Sequence, residues 1–153
     1  MSIATKHLAK IRKKDEYGTP LFLFNKYSKI FGINPKIDYF ASETNHVVPK
    51  YYTEEDDSFT KSWTEDGFIN PPYSLVKKVM EKAYNECKIN RIKLLILTYN
   101  KTDTHWWHKF IENNPMVEYK FHEGRIKFLC KHGYETRAGA PYPSVWILMN
   151  GNV

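Results

Sequence analysis

The run Asn70-Pro71-Pro72-Tyr73 brings together residue types that could act on a flat ring bearing an amino group. Such an amino group is a poor nucleophile, because its lone pair is delocalised into the ring. A site that methylates it must accept both N–H hydrogens and let the nitrogen become tetrahedral. The Asn70 side-chain carbonyl can accept one hydrogen. The Pro71 backbone carbonyl can accept the other, since the prolines fix the direction of the loop. Tyr73 can stack on the face of a base, which is worth ~1–3 kcal/mol. No strong general base is needed: with a sulfonium methyl donor, catalysis is mostly positioning and desolvation. The plain alternative is a loop between strand and helix, with Tyr73 as packing and Ser74 as a cap.

The elements around the motif decide between these readings. Gly67-Phe68-Ile69 reads as a short strand entering it. Leu75, Val76, Val79, Met80, Ala83 and Tyr84 form one side of a helix leaving it, with Ser74 as the N-cap. Ligands in open α/β sheets sit at the carboxyl ends of strands, where this loop would lie. Upstream, Thr19-Pro20 marks a helix start, Thr as N-cap and Pro at the first helical position. Leu21, Phe24, Tyr27, Ser28 and Phe31 follow at helical spacing, and Gly32 closes the segment. Residues 33–38 suit a short strand. Residues 41–63 are polar and acidic, without a long helix. Residues 93–98 are apolar without alternation, as in a fully buried parallel strand. Thr102-Asp103-Thr104 can cap a helix carrying Trp106, Trp107, Phe110 and Ile111. Residues 117–123 and 125–130 read as two strands joined at Gly124, 131–143 as a Gly/Pro-rich loop, and 145–149 as a closing strand. The order predicts an α/β sheet with antiparallel strands at one side.

The chain has 153 residues, enough for one domain. We expect a basic arm over 1–16 (Lys6, Lys10, Arg12, Lys13, Lys14) and a single domain over 17–153. Hydrophobic residues make up 42% and charged residues 26%, which excludes a disordered class. The formal charge of +6 favours a polyanionic partner, because each neutralised phosphate releases condensed counterions. The 11 Tyr, 9 Phe and 4 Trp supply more rings than a core of this size needs, which suits stacking on flat ligands. Cys87 and Cys130 have neither metal-ligand nor disulfide spacing, as in a reducing compartment. No apolar run has the length of a membrane span. His105 and His108 stand three apart on a helix with no third ligand, so no metal is expected.

Asn70-Pro71-Pro72-Tyr73 resembles the catalytic motif of amino-methyltransferases. Further stretches resemble the small phage-type, Dam-like DNA N6-adenine methyltransferases. They are Thr19-Pro20, Asp38-Tyr39-Phe40-Ala41-Ser42 followed by Asn45, and Tyr51-Tyr52-Thr53 before an acidic run and Trp63. Phe68 to Ser74, Thr102-Asp103-Thr104 followed by Trp107, and Gly124-Arg125-Ile126-Lys127-Phe128 complete the order, which spans 17 to about 149. The resemblance implies a Rossmann-like methyltransferase fold, S-adenosylmethionine as donor and a flipped-out adenine in DNA as acceptor. It makes Asn70, Pro71, Pro72 and Tyr73 the catalytic set. It makes Asp38, Phe40, Ala41 and Asn45 the donor-binding turn, with Thr19 and Pro20 over the methionine moiety and Asn70 bordering the donor.

Two departures shape the expectation. The usual Gly-x-Gly after the first strand is replaced by Ser42-Glu43-Thr44. Only 32 positions separate Asp38 from Asn70, whereas one crossover alone takes ~30 residues. A minimal, trimmed version of the fold with a mixed sheet follows. Asp56 and Asp57 are the candidates for the donor ribose, Asp57 being preferred. Arg125, Lys127, Lys131 and Arg137 are the candidate nucleic-acid contacts. A duplex adenine must be extruded to react, at a cost of a few kcal/mol. So small a chain leaves room for a homodimer to supply further DNA surface. Resemblance to phage enzymes places it in the cytoplasm of a bacterial host. Other readings remain open at this point: cytosine N4, RNA or protein as acceptor, or a non-catalytic nucleic-acid-binding module on a degenerate methyltransferase fold.

Overall fold

The computed structural model describes residues 17–134 and 139–153. The expected arm over 1–16 and Arg137 lie outside the described residues. Helix α1 spans Leu21–Phe31 and strands β1 and β2 span Ile37–Asp38 and Gly67–Ile69. Helix α2 spans Val76–Asn90; strands β3, β4 and β5 span Lys93–Tyr99, Val117–Phe121 and Ser144–Asn150. They form one five-stranded sheet in the order β1-β2-β3-β5-β4. The first three strands are parallel, and β5 runs antiparallel to both its neighbours. This mixed sheet, antiparallel at one side, is compatible with a small Rossmann-like methyltransferase fold.

The trimming falls between β1 and β2. These adjacent parallel strands would ordinarily be joined through a helix. Here the chain has only a 3-10 turn, Ser58–Thr60, on the way. The loop uses residues 50–52 to cover the open edge of β1: Asp38 N–H donates to Lys50 O, and Tyr52 N–H to Asp38 O. Trp63 supplies the burial that a helix would have given. It is fully buried, stacks on Tyr39 with ring centroids 4.7 Å apart, and donates its indole N–H to Ser58 O. Glu86 and Asn90 of α2 hold its backbone at both ends.

Alternation along β3 divides the core. Leu94 and Ile96 join Ile69, Val79, Met80 and Trp107 on the α2 face. Leu95 and Leu97 join Phe24, Phe68, Phe128 and Trp146 on the α1 face. All five middle residues of β3 are buried, as their unbroken apolar run predicts.

Several local expectations are corrected. Thr19 makes no cap; Pro20 is the N-cap residue of α1, without a side-chain bond. Leu21 is 55% exposed and Leu23 takes its place in the core. Gly32 does end α1, at φ 66°, where only glycine is unstrained. Ser74 lies inside a 3-10 turn, Tyr73–Leu75, and the N-cap position of α2 is Leu75. Trp106, Trp107, Phe110 and Ile111 are buried as expected. However, their helix is mostly one π turn, Trp107–Ile111, and Thr104 donates to Lys101 O instead of capping it. Residues 125–130 form no sheet strand, and β4 stays the outermost strand of the sheet. They pair instead through a single bridge, Leu129 with Gly18, and lie over α1's face of the sheet. Their alternation is as read: Ile126 and Phe128 buried, Arg125 and Lys127 exposed. No helix among the described residues is long and apolar enough to cross a membrane.

Candidate active site

Asn70 follows the last residue of β2, at the carboxyl end of the parallel strands. Its side-chain nitrogen donates to Tyr17 O at 2.6 Å and to Thr19 Oγ1 at 2.9 Å. A backbone carbonyl can only accept, so the amide end facing Tyr17 must be the NH2. Both amide hydrogens are therefore used, and Oδ1 accepts from none of the described residues. Asn70 is thus oriented as an acceptor. Thr19 was freed from helix capping for this contact. In the following loop, Leu75 N–H donates to Pro72 O, while no described backbone N–H meets the Pro71 carbonyl.

Beside Asn70 lies a cleft of about 930 Å³, within the range of ligand pockets. Thr19, Asp38, Phe40, Ala41, Asn45 and Asp57 line it together with Asn70. Seven of the eight residues read as donor-binding thus share one wall system. Pro20 does not line the cleft; its carbonyl receives the N–H groups of Leu23 and Phe24. Asp56 is tied to Thr53 instead, accepting its N–H and hydroxyl. Asp57 holds a left-handed backbone at φ 50° and accepts from Phe59 N–H.

Three buried polar atoms of the cleft lack a partner: Asp38 Oδ1, Asn45 Oδ1 and Ser58 Oγ. Such atoms cost about 1–3 kcal/mol each unless a ligand meets them. The Asp38 carboxyl is raised to about 7 by burial, against the opposing pull of the Val47 and Phe40 N–H groups. Asn45 Nδ2 donates to Cys130 O, and the Gly18 Cα sits against the Asn45 side chain. A Cβ on Gly18 would come within 2.5 Å of Asn45, so glycine is required for this approach. Gly18 and Ser58 gave no sequence signal, because one acts through its missing side chain and the other is a lone serine in an acidic run.

The Tyr73 ring points elsewhere. It packs in a cluster with Tyr17 (centroids 5.3 Å), Tyr99 (4.9 Å, edge-on) and Tyr142 (5.9 Å). Its hydroxyl is buried without a partner, and burial first, then the neighbouring tyrosines, raise its pKa. Tyr17 joins the two halves, since it lines the cleft and touches Tyr73.

The candidate nucleic-acid residues separate. Lys131 lines the cleft. Arg125 donates through Nη1 to Ala140 O, on the loop that carries Tyr142. Lys127 is exposed. Among the described residues no group of three His, Cys, Asp or Glu could hold a metal.

The fold and the cleft are compatible with a small methyltransferase of the Rossmann-like kind. A family model described as DNA N-6-adenine-methyltransferase (Dam) matches residues 6–152, and the chain belongs to that family. The enzyme class of the family is DNA adenine N6-methylation. A relative called DNA N-6-adenine-methyltransferase, from Haemophilus phage HP1 (strain HP1c1), is 26% identical over 126 residues. The match covers 82% of this chain and 72% of the relative.

Proposed function

We propose that this chain transfers a methyl group from S-adenosylmethionine to N6 of an adenine extruded from DNA. The observation that carries the reading is the fixed amide of Asn70, with both hydrogens spent and Oδ1 left to accept. S-adenosylmethionine supplies a methyl group on a sulfonium, whose sulfur keeps the C–S electron pair when the carbon bonds to nitrogen. Asn70 Oδ1 and the Pro71 carbonyl accept the two N6 hydrogens and draw the nitrogen toward tetrahedral geometry; one proton leaves to solvent after transfer. The cleft's residues suit the donor. Asp38 Oδ1 and Asn45 Oδ1 are acceptors for its ammonium or hydroxyl groups. The Asp57 carboxylate suits the ribose hydroxyls. Phe40 and Phe59, in edge-to-face contact at 5.3 Å, offer rings to its adenine.

The test is a nucleoside digest after incubation of the chain with DNA and labelled donor, beside calorimetric titration of the donor alone. The expected result is N6-methyladenine and one donor site. N4-methylcytosine would move the acceptor, and absence of donor binding would replace the enzyme by a nucleic-acid-binding module.

A further inference from the structure

Tyr73 is half-buried, and three neighbouring rings crowd it. Tyr17 leans across it at 34°, Tyr99 meets it edge-on at 84°, and Tyr142 closes in at 60°. Of the rings enclosing Tyr73, only Tyr142 is among the exposed large side chains, at 39%. It belongs to the loop 139–143, tied to the end of β3 by Asn100 N–H donating to Pro143 O and to Arg125 through Ala140 O. Above Tyr142 lies a cation. Lys101 Nζ is 4.4 Å from the Tyr142 ring centroid and 5.4 Å from that of Tyr99. Among the described residues no carboxylate forms an ion pair with Lys101. Its charge is held in place by rings, which leave it available to an anion in a way that a paired carboxylate would not.

Resting on the proposed methylation of an extruded adenine, we infer that Lys101 and Tyr142 form the contact with the acceptor nucleotide. Lys101 takes a phosphate flanking that nucleotide, and Tyr142 turns from Tyr73 to let the base stack between the two rings. A cation beside a stackable ring matches the two parts of a nucleotide that carry no sequence information, the backbone charge and the π face. Neither residue belongs to the motif, and neither is needed for the cleft that holds Asp38 and Asn45.

The experiment titrates DNA into the full chain at several salt concentrations, with 2-aminopurine at the target position, for wild type, Lys101→Ala, Lys101→Arg, Tyr142→Ala and Tyr142→Phe. Lys101→Ala is expected to reduce the slope of log affinity against log salt by about one, and to weaken binding about fivefold near physiological salt. Lys101→Arg restores both. Tyr142→Ala is expected to weaken the fluorescence change of the extruded base at saturating DNA, and Tyr142→Phe to retain it. Affinity for S-adenosylmethionine stays within twofold throughout, which also reports that the variants fold. An unchanged salt slope in Lys101→Ala, or an unchanged fluorescence signal in Tyr142→Ala, overturns the inference while wild-type methylation stands. A wild type that binds no DNA overturns both readings.

Discussion

The cleft around Asp38 and the tyrosine cluster around Tyr73 meet at Tyr17, yet they handle buried polar atoms differently. The residues Asp38, Asn45 and Ser58 line the cleft, and their Oδ1, Oδ1 and Oγ atoms are buried without partners. The cluster also buries an unpartnered hydroxyl, that of Tyr73, but closes three rings around it. Side chains that line open space can bring such atoms to a ligand by small rotations. A closed cluster must open first. The comparison therefore teaches an order: the cleft is preformed for a small polar ligand, whereas the ring cluster is set for a base that arrives with enough binding energy to displace a neighbour. Asn70 stands between the two, tied to Tyr17 on one hand and Thr19 on the other.

The largest expected effect is at that junction. Asn70→Ala removes the acceptor for the amino group and should cost about 2–4 kcal/mol in the transition state, roughly thirty- to nine-hundredfold in kcat. Single-turnover methylation measures this, with donor affinity measured in parallel. Near-normal turnover would show that the acceptor lies elsewhere in the cleft. Next comes Asp38→Asn. The Val47 and Phe40 N–H groups can still be accepted, but the carboxyl becomes a neutral amide that carries no negative charge. Loss of a charge-assisted bond to a cationic ligand should cost about 1.5–3 kcal/mol in donor affinity, read by calorimetry. Equal affinity in the variant would break the assignment of the cleft to that ligand.

Asp38 also gives the comparison a pH signature. Its carboxyl rises from 3.8 to about 7 in the folded chain. Between those values the folded chain holds a proton that the unfolded chain has released. Its contribution to the stability of the ligand-free protein is therefore full at the acid end and lost as pH rises through about 7. Denaturation of wild type against Asp38→Asn should show the wild type losing ground over that window. A cationic ligand favours the ionised carboxylate, so wild-type donor affinity should rise over the same window, with proton release. A flat profile in both measurements would mean that Asp38 is ionised throughout. Thr19→Val is smaller. It removes one of the two acceptors holding the Asn70 amide, about 1 kcal/mol, and should lower kcat several-fold while donor affinity holds.

How much of this the sequence disclosed depends on what each residue uses. Neighbourhood at the strand ends was legible: Asn70, Asp38, Asn45 and Asp57 line one cleft, as the motif order implied. Residues acting through backbone or absence were not. Tyr17 contributes a carbonyl, Gly18 a missing Cβ, and neither leaves a pattern in residue type. The strand-to-helix frame was legible from the unbroken apolar run of β3 and the helical spacing of apolar residues in α2. The missing crossover was legible only as shortness, because the count of residues between Asp38 and Asn70 cannot reveal that Trp63 would fill a helix's place. Thr19 was misassigned for an instructive reason: a hydroxyl before a proline suits an N-cap, but the Asn70 amide, from a distant part of the chain, competes for the same oxygen. Residues 125–130 carried a strand's alternation because Ile126 and Phe128 are buried between exposed Arg125 and Lys127, and alternation does not say whether a segment pairs along a sheet edge or packs across its face.

The smallest effect tests the closed half directly. Tyr73→Phe removes a hydroxyl that is buried without a partner, while the ring contacts with Tyr17, Tyr99 and Tyr142 remain. Burying such a group unpaired costs about 1 kcal/mol or more, so its removal should leave stability unchanged or raise it by up to about that amount. For a domain of this size the change corresponds to a rise in Tm of about 2–4 °C. Methylation should persist, because the phenyl ring still offers a face to the base. A fall in Tm would mean that the hydroxyl has found a bond within the cluster. The two halves would then differ in the kind of partner they hold, and no longer in whether their buried atoms wait for one.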